Sequence, residues 1–284
     1  MAAVTRIDDL RANLAATRAR IDAAAGDRPV RLLPVTKFHP SSDLELLLEL
    51  GVTDVAENRE QEARAKATDV PAMRIHMIGQ VQTKKANSVA RWAASVHSVD
   101  SLKLAHALDR GVALALERGD RTTNLPVYLQ LSADGDTARG GVTEEDLPEL
   151  IDAVRASGHL ELKGLMVVPP LGMDPAPVFA RARELSAGME LSAGMSADME
   201  TAIAEGLLVD WFAAAIRSAP NADTAIFAQL GDFLHWDGMD AVTPASKHLL
   251  DADTRFQRLV RVAIRAIRRI VRMLLEKHRH VHLI

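Results

Sequence analysis

The sequence predicts an α/β protein built as a parallel (β/α) barrel of the TIM type, with its last strand replaced by a helical tail. Three observations lead there. Up to Gly206, short apolar runs alternate with amphipathic helical patterns, as in successive βα units. Polar clusters follow directly after several of those runs, where a barrel places its loops and binding residues. Beyond Gly206 the strand-like alternation stops.

The elements follow in chain order. Residues 5–24 read as a polar-faced helix with Ile7, Leu10, Leu14 and Ile21 on one stripe. Strand-like runs come at 29–36, 52–56, 74–78, 95–99, 127–131, 164–168 and 189–193, separated by helical patterns at 42–50, 59–67, 101–118, 144–156, 176–186 and 197–205. Seven β elements leave an eight-stranded barrel one short. The segment ELSAGM occurs twice in succession, at 184–189 and 190–195, so the sixth of these helices runs almost directly into the seventh strand. The tail then offers LLVDWFAAAIRS, a short helical stretch at 224–234, and a long basic amphipathic helix at about 255–279. Histidines 278, 280 and 282 alternate instead of following helical spacing, which favours a frayed polar end over a metal site. The domain reading is therefore 1–206 for the barrel and 207–284 for an atypical helical region.

Composition narrows the function classes. The 284 residues are 48% hydrophobic and 25% charged, with net charge −4, which describes a folded chain and excludes a disordered one. With no cysteine there is no disulfide, thiolate nucleophile or cysteine metal site, and the cytoplasm is the expected compartment. No apolar run reaches the roughly 18 residues of a membrane span, and the first residues, MAAVTRIDDL, lack an apolar signal core. Aromatics make up 4%, and residues 1–206 carry charge −7, so nucleic acid is not an expected partner. Residues 207–284 carry +3, concentrated in the 255–279 pattern, where nine Lys/Arg face one Glu. Packing over the barrel is the main expectation for that helix; contact with a partner or an anionic membrane surface is the alternative.

Several side chains could carry chemistry. Lys37 ends the first apolar run, RLLPVTKFHP, where a barrel would turn its amine into the mouth, sheltered from bulk water. A desolvated lysine amine is a nucleophile toward aldehydes, although a solvated strand-end lysine is the common alternative. Glu57, Asn58 and Gln61 follow the second run; Gly79, Gln82, Lys84, Lys85 and Asn87 the third; Ser98 and Asp100 close the fourth. Gly194, Met195 and Ser196 precede a helix, offering backbone N–H groups and a hydroxyl to a phosphate, or a plain helix cap.

In order and spacing, PVTKFHP, DVAENREQEA, RIHMIGQVQTKKAN, VHSVDS, DGDTARGG, LKGLMVVPP and LSAGMSADMETAI resemble the pyridoxal-phosphate homeostasis proteins, the YggS family, over about residues 5–206. The resemblance implies an alanine-racemase N-terminal-domain-like barrel that binds pyridoxal 5'-phosphate and acts in intracellular homeostasis of that cofactor; a monomer is the expected state, although the sequence leaves oligomerisation open. By the same resemblance Lys37 holds the cofactor as a Schiff base, Asn58 lies beside its ring, and Met195 and Ser196 meet its phosphate. His76, Gly79 and Ser98 match positions lining the pocket. No catalytic residue and no metal ligand is implied. A racemase-like enzyme is the alternative, but related racemases use a second base, a tyrosine, and the single Tyr128 falls at the floor of the expected barrel. The chain departs from the family after Gly206: a strand of the type STxVRxGxxxFG, which completes the phosphate cradle, is expected there, and LLVDWFAAAIRSAP stands in its place.

Overall fold

The computed structural model describes residues 5–26, 28–205, 224–227, 267–268, 270–272 and 274–283. The chain divides into two compact units, Met1–Ala204 and Glu205–Ile284.

The first unit is a parallel sheet wrapped by helices. After α1 (Arg6–Ala25) and α2 (Ser41–Glu49) the order is β1 (Asp54–Glu57), α3 (Glu60–Asp69), β2 (Arg74–Met77), α4 (Ala86–Trp92), β3 (Ser95–Val99) and α5 (Leu102–Glu117). It continues with β4 (Leu125–Gln130), α6 (Leu147–Ala156), β5 (Leu160–Met166), α7 (Pro175–Leu185), β6 (Glu190–Ser192) and a final helix α8 at 199–205. The sheet order is β1-β2-β3-β4-β5-β6, every pair parallel. Each strand therefore lies beside its chain neighbour, with a helix carrying the crossover.

Side-chain alternation sorts the strands into two faces. Val55, Ile75, Val96, Val127 and Leu129 join Leu44, Leu108, Leu150 and Phe179 of the helices in one apolar core, all essentially fully buried. The opposite face carries His76, Ser95, His97, Tyr128, Glu190 and Ser192, linked into a polar chain across the sheet. His76 Nε2 meets Asp54 Oδ1 at 2.7 Å and its Nδ1 meets Ser95 Oγ at 2.6 Å. His97 Nε2 contacts the same Ser95 hydroxyl at 2.7 Å, while its Nδ1 contacts Ser192 Oγ at 2.7 Å. The Tyr128 ring lies 4.2 Å from that of His97, and its hydroxyl donates to Glu190. Buried polar groups of this kind are tolerable because their hydrogen-bonding capacity is met within the chain.

Arg121 shows the same logic at the sheet's outer layer. Its Nη1 donates to Ala90 O at 3.0 Å and Ala93 O at 2.9 Å, tying down the end of α4, and Nε donates to Thr123 O at 2.8 Å. Arg121→Ala leaves those carbonyls unpaired and should lower stability by about 2 kcal/mol. An unchanged denaturant midpoint would refute this role.

The expected first strand, 29–36, is not a strand. It makes one isolated bridge, Val35 with Ala56, supported by Thr36 N–H to Ala56 O at 3.0 Å and Ala56 N–H to Pro34 O at 2.8 Å. Pro29 and Pro34 lack the N–H donors a continuous ladder needs. Helix α1 reaches between the first and last βα units: Arg6 pairs with Asp43 on α2, and Arg20 forks onto Glu200 on α8 at 2.7 and 3.0 Å.

The second unit contains a parallel pair, β7 (Thr224–Phe227) with β8 (His280–Leu283), in register Thr224 with His280 through Phe227 with Leu283. Two expectations are corrected here. TAIF at 224–227 is a strand, in keeping with its β-favouring Thr, Ile and Phe, and the alternating HVHL at 280–283 is a strand, not a frayed end. Most of the basic pattern at 255–279, and the 207–223 stretch standing where a last barrel strand is expected, lie outside the described residues.

Candidate functional site

The peptide around Lys37 is a tight turn. His39 N–H donates to Thr36 O at 3.1 Å, which puts Lys37 second and Phe38 third in a four-residue turn. Phe38 has φ +69°, a left-handed conformation that this turn position ordinarily reserves for glycine or asparagine. Lys37 is exposed, contrary to the sheltered amine expected of a closed barrel mouth. The segment before it bonds to β1 through Pro34, Val35 and Thr36.

Beneath the turn is a charged cluster of which sequence reasoning singled out only Glu57. The Lys66 ammonium, 3% exposed, donates to Thr36 O at 2.8 Å, Glu57 Oε1 at 2.6 Å and Glu62 Oε1 at 2.8 Å. Thr36 Oγ1 also donates to Glu57 Oε1 at 2.6 Å, and Phe38 N–H donates to Glu62 Oε1 at 2.8 Å. The Lys66 hydrogen bond holds the Glu62 carboxyl below the usual carboxylate range, against the opposing effect of burial. The four-residue spacing of Glu62 and Lys66 on α3 was the available signal, but such pairs are mostly solvated helix faces.

Asn58, Gly79 and Ser98 form a continuous row at the carboxyl ends of β1, β2 and β3. A Cβ on Gly79 would lie 2.0 Å from Asn58 O and 2.4 Å from Asn58 Oδ1, so only glycine lets the asparagine settle there. Gly79 O in turn accepts from Ser98 Oγ at 2.7 Å. His76 is elsewhere: 2% exposed, with both ring nitrogens engaged by Asp54 and Ser95 on the polar inner face. Strand alternation turns its ring onto the inner face of the sheet, beside Asp54 and Ser95.

Met195 and Ser196 are both exposed in the turn that follows β6. Gly194 has φ +88°, and a Cβ there would come within 3.0 Å of Met199 Cα, so the turn requires glycine. Met195 N–H donates to Asp198 Oδ1 at 2.5 Å, and Ser196 O accepts from Arg20 Nη2 at 3.0 Å. An anion seeking the Met195 amide must first displace the Asp198 carboxylate.

Comparison with known proteins fixes the family. The model of the alanine racemase N-terminal domain matches residues 6–211. A pyridoxal phosphate homeostasis protein of Corynebacterium glutamicum is 56% identical over 203 residues, covering 66% of this chain and 92% of the relative. The chain belongs to the pyridoxal phosphate homeostasis protein family. Members from Mycobacterium tuberculosis are 41% identical over 230 residues, 71% of this chain and 89% of theirs. Among solved structures, PipY of Synechococcus elongatus with pyridoxal phosphate bound aligns with TM-score 0.59 at 32% identity, over 69% of this chain and 94% of its own. Alanine racemase from Streptomyces coelicolor, at TM-score 0.51 and 21% identity, shares the fold. The family's barrel is thus represented by the six strands of the first unit, and no described helix is long and apolar enough to cross a membrane.

Proposed function

We propose that this protein binds pyridoxal 5'-phosphate on the barrel domain read from the sequence as residues 1–206, and serves cytoplasmic homeostasis of that cofactor. The observation that carries the reading is the juxtaposition of an accessible lysine amine, presented at the tip of the Thr36–His39 turn, with the adjoining β1 strand, which Asn58 directly follows. A flat, polar ring needs such a cradle, and the Gly79–Asn58 approach, which a methyl group would abolish, fits it. The relatives named for pyridoxal phosphate homeostasis and the ligand-bound PipY support the same assignment.

In this reading Lys37 supplies the amine to which the cofactor aldehyde attaches. Asn58, set by Gly79, borders the ring, and Ser98 steadies Gly79 through its carbonyl. Ser196 and the Met195 amide receive the phosphate once Asp198 swings away, and the Arg20 bond to Ser196 O holds that turn in place. When bound, the cofactor supplies an electron sink; the chain's own contribution is to hold and orient it. Tyr128, held by Glu190 on the inner face, has its hydroxyl pushed up by burial and offers no base for substrate chemistry.

The test is direct. Protein incubated with pyridoxal phosphate, reduced with borohydride and mapped by mass spectrometry should carry its label on the peptide containing Lys37. The visible absorbance of the bound cofactor should vanish in Lys37→Ala. A label spread over surface lysines such as Lys84 and Lys103, with Lys37→Ala unchanged, rejects the assignment.

A further inference from the structure

We propose that Lys66, Glu57 and Glu62 form a positioning clamp that holds the backbone on both sides of Lys37, presenting its amine in one orientation to a flat aldehyde. The inference rests on the reading that Lys37 receives the cofactor, and it goes further by assigning three residues that touch no ligand. The clamp grips each peptide flanking the lysine. On the preceding side, Thr36 O accepts from Lys66 Nζ, and the Thr36 hydroxyl is tied to Glu57. On the following side, Phe38 N–H is held by Glu62 Oε1, which the same ammonium anchors.

The turn needs such a clamp. A left-handed φ at an aromatic residue persists only where its surroundings over-determine it. The Phe38 side chain contributes little to this, since it is 70% exposed, with its ring 5.2 Å from the Arg59 cation and 5.9 Å from that of Lys37. The constraint therefore comes from the backbone bonds beneath. Burial strengthens them: Glu57 is fully buried and Lys66 nearly so, placing these charge-assisted bonds in a low-dielectric environment. Among the described residues, the second Glu57 oxygen, Oε2, is buried with no hydrogen-bond partner, an arrangement that costs stability. Fixing the amine in advance lowers the ordering entropy lost when a ligand binds.

Three variants and three measurements test the clamp. In ligand-free protein, Glu62→Ala should make the Phe38 amide exchange its hydrogen about tenfold faster, and should weaken pyridoxal phosphate binding by a similar factor, as loss of one charge-assisted bond implies. Glu62→Gln keeps an oxygen acceptor for Phe38 N–H and should recover most of both effects. Because Glu62 is partly exposed, its substitution should leave the melting temperature nearly unchanged. The third variant, Lys66→Met with Glu57→Gln, removes the ammonium and one buried carboxylate together, so no isolated buried charge is stranded; it should also weaken binding and speed Phe38 exchange. The clamp is overturned if Glu62→Ala leaves exchange and affinity at wild-type values while the wild type binds through Lys37. It is equally overturned if Gln fails to rescue and losses simply follow thermal stability. Absence of any Lys37-dependent binding in the wild type instead removes the underlying assignment, and with it the clamp's purpose.

Discussion

Gly79→Ala should be among the most damaging single methyl additions available in this chain, lowering stability by about 3–4 kcal/mol and abolishing cofactor binding. The added Cβ would lie 2.0 Å from Asn58 O and 2.7 Å from Asn58 C, and both are backbone atoms that no rotamer change can move. Relief requires β1 and β2 to part just past their last rungs, where Ile78 N–H bonds to Glu57 O at 3.0 Å. That shift would also pull Gly79 O from the Ser98 hydroxyl. Urea denaturation reads the first effect and cofactor titration the second. A variant with wild-type midpoint and affinity would show that Asn58 is not held by this approach.

The second large effect is acid sensitivity centred on His97. Burial first, and then the neighbouring charges of His76 and Arg31, push its imidazole down to about 3 from an ordinary value near 6.5. The unfolded chain therefore binds a proton at this position in the interval where the folded chain does not. Stability is fully present above about pH 6.5 and is lost as pH falls toward 3. Between pH 7 and pH 5 this group alone should remove about 2 kcal/mol. His76, lowered chiefly by burial despite the Asp54 bond, acts in the same direction. The acids facing these rings belong to other strands: Asp54, itself held low, and Glu190, bonded to Tyr128. Carboxylates with lowered values, such as Glu62 and Asp43, add their own losses only nearer their ordinary range around pH 4. His97→Gln keeps one donor and one acceptor for Ser95 and Ser192 without a titrating ring. Its melting temperature should vary less between pH 7 and pH 5 than that of the wild type; an identical profile would assign the sensitivity to other groups.

Much of the fold was legible because local pattern and tertiary burial agree. SVHSV at 95–99 is a strand as expected, and RIHMI, read as 74–78, differs from β2 by one residue. The expected helix at 59–67 corresponds to α3, and the one at 176–186 to α7. The first strand was misread because apolar character outweighed two prolines, whose missing donors leave a single bridge. Lys37 and the glycines at 79 and 194 could be found from their places after apolar runs. The partners that decide their geometry could not, since Glu57 meets Lys66 and Thr36 only after α3 folds back on β1. The surroundings of His76 were illegible for a related reason: neighbouring motif residues point to opposite faces of a strand, and only the bonds to Ser95 and Asp54 reveal which.

The sequential order of the six strands also bears on how the unit is made. Every rung of the sheet joins segments separated by only one crossover, so no strand must wait for a partner from a distant part of the chain. During synthesis, each strand leaving the ribosome finds its neighbour already in place, and the sheet can grow by accretion from its amino-terminal end. Assembly of this kind exposes, beyond the amino-terminal edge, only the edge of the most recently made strand.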